Sequence, residues 1–358
     1  MVPNKFETKA GRWRYGNMFY AYSLSTLLLI GSGAALVILL VGLRMTGLAD
    51  RIADRTGLGE AVVGGVLLGA ATSFSGTIVS LTAALDGRAS LAFSNGIGGI
   101  AAQTAFLAIA DVVYRRANLE HAAAELANVF QCGVLLVLLA IPFAAFTAPE
   151  IAIWGVHPAS FVLVVVYAYG VGATARLREK PMWTPVETEE TRADEPEDGD
   201  TPENPARWLI LRFFLLMVFL GSAGWVISQV GAQLVDRLGL SASLVGALVT
   251  AVITSLPELV TTIAAVRRGA LQLAVGGIIG GNTFDTLFLT ISDVGYRGGS
   301  IYHAVGTQDL FWLATGMLMT AVLMLGLIFR EKKGPGSIGR DSLVLLCIYG
   351  LAIAIQAL

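Results

Sequence analysis

The chain has 358 residues, of which 55% are hydrophobic and only 14% charged, with a formal net charge of −2 and a mean hydropathy of +0.70. A soluble domain carries about 25% charged residues, so the composition excludes an ordinary soluble protein and points to an all-α polytopic membrane protein. No basic patch for nucleic acid is present, and membrane lipid is the one macroscopic partner implied. The 41 glycines suit closely approaching transmembrane helices. No Ser/His/Asp, HExxH or CxxC constellation is found and the three histidines are scattered, so an enzyme is disfavoured and no cofactor is implied. Cys132 and Cys347 both fall in apolar stretches and read as buried thiols.

In chain order, a short polar tail up to Asn17 carries Lys5, Lys9, Arg12 and Arg14, and the first apolar span reads as an uncleaved anchor. Spans are expected over 19–43, 58–85, 90–113, 123–146, 150–173, 208–233, 240–266, 271–295, 309–329 and 342–358. That is ten transmembrane helices, most near the ~20 residues a bilayer requires. Between the fifth and sixth lies Arg176–Arg207, with acidic clusters at Glu187–Glu190 and Asp194–Asp200 followed by Pro202 and Pro205. This reads as a disordered acidic linker, with regulatory cation binding as the sharper alternative. It divides the chain into halves 1–175 and 208–358, joined by the linker 176–207.

Lys and Arg set orientation. Placing the N-terminus outside leaves 17 basic residues on the cytoplasmic side and 7 outside. Both termini are therefore expected outside an inner (cell) membrane, with the linker in the cytoplasm. Arg267-Arg268 then reads as an ordinary cytoplasmic anchor.

A shift of 182 residues aligns Asp54–Ala122 with Asp236–Ala304 without a gap, about 25 of 69 positions being identical. The matches include Asp54/Asp236, Thr72/Thr254, Ser73/Ser255, Gly98-Gly99/Gly280-Gly281, Asp111/Asp293, Tyr114/Tyr296 and His121/His303. Chance similarity between apolar segments would match Leu, Val and Ala, not this polar and glycine set. Corresponding helices are five spans apart, so the copies enter the membrane from opposite sides. Two inverted-topology five-helix repeats with a midplane site is the architecture of alternating-access transporters.

Two stretches carry the chemistry: Thr254-Ser255-Leu256-Pro257-Glu258 and Gly280-Gly281-Asn282-Thr283-Phe284-Asp285. Each puts a carboxylate in the middle of an apolar run, where a charge costs roughly 2.5–3.5 kcal/mol on insertion scales and usually lines an ion path. Pro257 and the paired glycines weaken the helix there, and irregular backbone at that depth is tolerated only where it is buried or lines a cavity.

These stretches resemble the ion-site motifs of the cation/calcium exchanger superfamily, the sodium/calcium exchanger membrane region of prokaryotic type, and the ten-span layout matches it over nearly the whole chain. The resemblance implies a secondary active cation antiporter with Glu258 as a central cation ligand, and Thr254, Ser255, Asn282 and Asp285 supplying oxygens or orienting the site. The first copy departs from the family. Gly76 stands where a second glutamate is expected, Ile100 replaces the Asn, and Gln103 stands opposite Asp285. Thr72, Ser73, Ser75 and Gln103 can offer neutral oxygens, of which Thr72, Ser73 and Gln103 are the weaker ligands expected.

The expected substrates are inorganic cations: Na⁺/Ca²⁺ exchange first, and H⁺- or Na⁺-coupled exchange of another cation as the alternative suggested by the missing glutamate. A non-transporting degenerate member is the reading from a different class. Blander roles stand beside the sharp ones. Thr254 and Ser255 could back-bond to the preceding turn, and Gly76 could serve packing alone. Asp111 and Asp293, beside Arg115 and Arg297, read as caps or interfacial ion pairs. His121 and His303 read as interfacial, with pH sensing as the alternative.

Overall fold

The computed structural model describes residues 18–56, 69, 71–191 and 206–358. The polar tail, Gly57 with most of the second expected span, and the acidic cluster 194–200 with Pro202 and Pro205 lie outside the described residues. Every regular element among them is helical: α1 (Leu24–Thr56), α2 (Phe74–Leu85), α3 (Ala89–Tyr114), the single turn α4 (Leu119–Ala122), α5 (Leu126–Thr147), α6 (Pro158–Glu179) and α7 (Ala206–Leu238). The second half continues with α8 (Ala242–Thr254), α9 (Leu256–Arg268), α10 (Leu271–Asp285), α11 (Leu287–Gly295), the turn α12 (Ile301–Ala304), α13 (Thr307–Phe329) and α14 (Arg340–Ala357).

Eight of these spans are long and apolar enough to cross a membrane, and the bent pair α8–α9 makes a ninth. Of the one expected span left, the second (58–85), the described part is chiefly α2. The α8–α9 pair bends by 48° at Ser255, whose φ −96°, ψ 6° lies off the helical basin. Pro257 in the first turn of α9 has no N–H to continue the ladder. Ser73, the copy-one equivalent, makes the same turn before α2, with φ −83° and ψ 1° and no proline. The paired glycines do not break their helices as expected. α3 runs unbroken through Gly98-Gly99, and α10 runs through Gly280-Gly281 to end at Asp285, with Thr286 as its C-cap.

α3 is the axis of the molecule, buried along nearly its whole length. The main core joins its Leu91, Ile97 and Leu107 to Leu135 and Leu139 of α5, Trp312 and Leu313 of α13 and Leu345 of α14. A separate cluster joins Ile38 and Met45 of α1 to Leu220, Ala223 and Ile227 of α7. The outer faces of α1 and α7 expose Leu28, Leu29, Phe214 and Phe219, an apolar skin matched to acyl chains. Lipid is as apolar as leucine, so close van der Waals packing over small residues holds such helices together. At Gly98 a Cβ would strike the Ala247 backbone, inside a π-helical turn (Val245–Thr250) of α8. At Gly224 of α7 a Cβ would fall 2.5 Å from the Ser75 carbonyl oxygen.

The repeat extends beyond the stretch aligned by sequence, through contacts that cross between halves. Asp111 accepts from Leu119 N at 2.8 Å and from Gly339 N at 2.7 Å. Asp293, its equivalent 182 positions on, accepts from Ile301 N at 3.0 Å and His157 N at 2.7 Å. Each aspartate thus closes its own half's short helical turn and holds the N-cap residue of the other half's last helix, which is the cap reading. Neither forms an ion pair with Arg115 or Arg297 among the described residues. His121 and His303 repeat the pattern, pairing with the carbonyls of Arg330 (2.7 Å) and Ala148 (2.8 Å), again 182 residues apart.

Three expectations change. His157 and His303 are not scattered, since their rings lie 5.4 Å apart. Cys132 is buried, but Cys347 is exposed on the outer face of α14. The first acidic cluster is not loose. Arg330 Nη1 donates to Val186 O at 2.7 Å, Lys332 pairs with Glu190 at 2.7 Å, and His121 Nε2 meets Thr188 Oγ1 at 2.9 Å. Cations on the α13–α14 connection recruit this part of the linker.

Candidate functional site

The α8–α9 bend and the C-terminal end of α10 meet across α3. The bend turns Glu258 inward in the first turn of α9, where it is 6% exposed. Asp285, the last residue of α10, is 2% exposed. Its Oδ2 accepts from Gln103 Nε2 at 2.7 Å, and the same amide nitrogen donates to Ser255 Oγ at 3.1 Å. Ser73 lies beside the Asp285 carboxyl, and Thr72 faces that of Glu258. Gly99 backs the group, since a Cβ there would sit 3.3 Å from Asp285 Oδ2 and 3.7 Å from Ser255 Oγ.

Thr72, Ser73 and Gln103 from the first half therefore face Glu258, Ser255 and Asp285 from the second. Thr254 is buried too, but its hydroxyl donates back to Thr250 O at 3.0 Å and Ala251 O at 3.1 Å, the blander role. Asn282 is wholly buried and donates through Nδ2 to Thr104 Oγ1 at 3.0 Å.

A buried oxygen with no donor costs about 1–3 kcal/mol. Seven such oxygens belong to these motifs: both of Glu258, Asp285 Oδ1, Gln103 Oε1, Asn282 Oδ1, and the hydroxyls of Ser73 and Ser75. The set is all oxygen, with two carboxylates and neutral amides and hydroxyls, which is the donor chemistry of hard cations. Among the described residues no group of three or more His, Cys, Asp or Glu could hold a metal ion, so only Glu258 and Asp285 bring charge.

Gly76 occupies the position equivalent to Glu258, and the space its side chain would need is taken. A Cβ there would lie 2.7 Å from Phe288 Cε2 of α11. Its carbonyl accepts from Asn95 Nδ2 at 3.1 Å, and Asn95 Oδ1 accepts from Thr250 Oγ1 at 2.7 Å. Gly76 thus keeps the packing role, with Phe288 filling the space that a further carboxylate side chain would need. Thr104, Asn95 and Phe288 escaped the motif reading. The identities of Thr104 with Thr286 and of Phe106 with Phe288 in the repeat could have marked the first and the last, whereas Asn95 carries no such signal.

The family model of the sodium/calcium exchanger protein matches residues 24–173 and 208–358. The chain belongs to the sodium/calcium exchanger family. It is an integral membrane protein, a cation/calcium antiporter by family and not an enzyme. The exchanger is 26% identical over 292 residues to CaxA of Alkalimonas amylolytica, covering 81% of this chain and 88% of that protein. It is 29% identical over 174 residues to the inner membrane protein YrbG of Escherichia coli (strain K12), covering 49% and 50%. Its fold is that of the sodium-calcium exchanger NCX_Mj, with TM-score 0.59 at 17% identity over 93% of this chain and 99% of the other. The H⁺/Ca²⁺ exchanger CAX superposes with TM-score 0.63 at 14% identity, over 94% and 86%.

Proposed function

We propose that the exchanger moves Ca²⁺ against Na⁺ by alternating access, with Glu258 and Asp285 as the charged ligands and Gln103, Asn282, Ser73, Ser255 and Thr72 as neutral donors or positioning groups. Thr254 helps shape the bend. The observation that carries this reading is the set of orphaned buried oxygens on both halves around two carboxylates. Calcium takes about 6–8 oxygens, and its double charge balances Glu258 and Asp285 together. Two monovalent cations would balance the same pair, so the two kinds of ion compete for one site.

One observation favours a second reading. With Phe288 filling the space at Gly76, divalent affinity has no third carboxylate to draw on, and a buried carboxyl without a donor is served as well by a proton. Exchange driven by H⁺ then replaces exchange driven by Na⁺. The excess of basic residues near one set of loops supports both termini outside the inner membrane and the linker in the cytoplasm.

The test is radiolabelled Ca²⁺ uptake into proteoliposomes under an outward Na⁺ gradient, an outward H⁺ gradient, or neither. Uptake under the Na⁺ gradient alone supports the first reading, and uptake under the H⁺ gradient alone the second. No uptake from folded protein under either removes calcium as substrate.

A further inference from the structure

Away from the transport site, a second group of buried acids sits where α3, α4 and the start of α14 meet. Glu120 on α4 is fully buried, with no donor to either carboxylate oxygen. It faces Asp341, in the first turn of α14, and more distantly Asp111. Asp111 is satisfied by the N–H groups of Leu119 and Gly339. Asp341 Oδ1 accepts from Asn118 Nδ2 at 3.0 Å, while its Oδ2 is buried and without a donor, as is Asn118 Oδ1.

Three cations at the α13–α14 connection are engaged elsewhere. Arg330 bonds Val186 O and His121 O, Lys332 pairs with Glu190, and Arg340 pairs with Glu331 at 3.2 Å. His121 is held by Arg330 O and Thr188, and α13 brings the backbone of Gly326 and the apolar Val322, Leu325 and Phe329 near Asp341, none of them charged.

The repeat shows what is unusual about this junction. Glu120 and Asp341 are equivalent to Tyr302 and Ala159, whose junction in the other half holds no carboxyl pair. There the Tyr302 hydroxyl meets Ser160 Oγ at 2.8 Å, which in turn donates to Asp293 at 2.8 Å. Copy one replaces a phenol and a methyl by two acids facing one another, Glu120 fully buried and Asp341 partly so, with its Oδ2 shielded. Two carboxylates in contact with no donor between them are not a stable arrangement. A third ligand-bearing acid in metal-holding geometry is lacking among the described residues, so the smallest cation completes the pair.

We propose that Glu120 and Asp341 share one bound proton, forming a proton site separate from the transport site that latches the start of α14 onto α4. Burial, and then the Asp341 and Asp111 charges, push the Glu120 carboxyl well above the ordinary carboxylate range. The sign follows. Above the ordinary value of about 4.3, the folded chain holds a proton that the unfolded chain has released. Stability therefore falls as pH rises through the folded value, and Glu120→Gln, fixed in the neutral form, loses that dependence.

The experiment is infrared spectroscopy of the full chain in lipid nanodiscs in H₂O and D₂O, with thermal melts across pH, for wild type, Glu120→Gln and Asp341→Asn. Subtracting a variant from wild type should leave one protonated-carboxyl band that shifts in D₂O. The wild-type Tm should fall with rising pH more steeply than that of Glu120→Gln, the difference between the two slopes being the contribution of this site. Should Glu120→Gln fail to fold, the Asp341→Asn subtraction decides alone. No carboxyl band in the subtraction at neutral pH would overturn the proposal, as would loss of the band on adding Ca²⁺ at fixed pH, which would make the site a metal site.

Discussion

Gln103 donates to Asp285 across 2.7 Å, and the two residues occupy the same position in the two copies of the repeat. They meet where the copies face each other, so the amide of one half neutralises part of the field of the other half's carboxylate. A second carboxylate at 103 would have repelled Asp285. An amide orients it and leaves Oδ1 free. Replacing Gln103 by Ala should therefore weaken cation affinity by about 10–100-fold, the usual cost of losing an orienting partner. Ca²⁺ concentration dependence of uptake checks this, and Gln103→Asn should recover part of the loss.

Glu258 supplies two of the orphaned oxygens and half of the charge. Glu258→Gln keeps the shape and should reduce gradient-driven uptake to the background of empty vesicles, while the protein elutes and melts as wild type does. Wild-type rates in this variant would remove Glu258 from the site.

Phe288 and Gly76 make a reciprocal pair. Gly76→Glu alone forces a side chain against the Phe288 ring, an overpacking that should cost about 1–3 kcal/mol and lower the Tm. Adding Phe288→Ala should relieve the clash and give a three-carboxylate site with tighter Ca²⁺ binding than wild type. Isothermal titration of the double variant tests both statements.

Asp293 receives three donors, from His157 N, Ile301 N and Ser160 Oγ. Asp293→Ala leaves the two N–H groups buried and unanswered, at about 1–3 kcal/mol each, while Ser160 keeps Tyr302, and should destabilise by at least ~2 kcal/mol in a denaturation assay. Surface substitutions such as Arg297→Ala should leave stability unchanged.

The ordered piece of the linker titrates. The hydrogen bond and charge of Lys332 hold the Glu190 carboxyl below its ordinary value. This contact therefore contributes above the ordinary carboxylate pKa of about 4.3 and is lost as pH falls through the depressed folded value. Amide exchange of residues 186–191 should speed up on acidification and in high salt, because the pair is exposed and screened. Lys332→Gln should remove both effects.

Much of this architecture could be read from residues alone, because the informative positions were polar ones in an apolar background. Thr72/Thr254, the paired glycines and Asp111/Asp293 exposed the duplication, and Glu258 and Asp285 stood out as acids in lipid-depth sequence. What escaped depends on partners far away in the chain. Nothing near Phe288 announces that its ring fills the space at Gly76, and nothing near Glu120 points to Asp341. The helix breaks were half legible. Pro257 marked the bend at Ser255, whereas the glycine pairs proved to be places of close approach, with Gly98 seated against Ala247.

The crossed aspartate ties carry a consequence for how such a chain could arise. Asp111 needs the N–H of Gly339 and Asp293 needs that of His157, so neither half alone answers its own carboxylate. The swap is symmetric, and two copies of one unfused half would satisfy it equally well. The bonding in the joined chain is thus of a kind that two separate copies could form. The covalent connection between halves adds proximity to a pairing that the backbone already demanded.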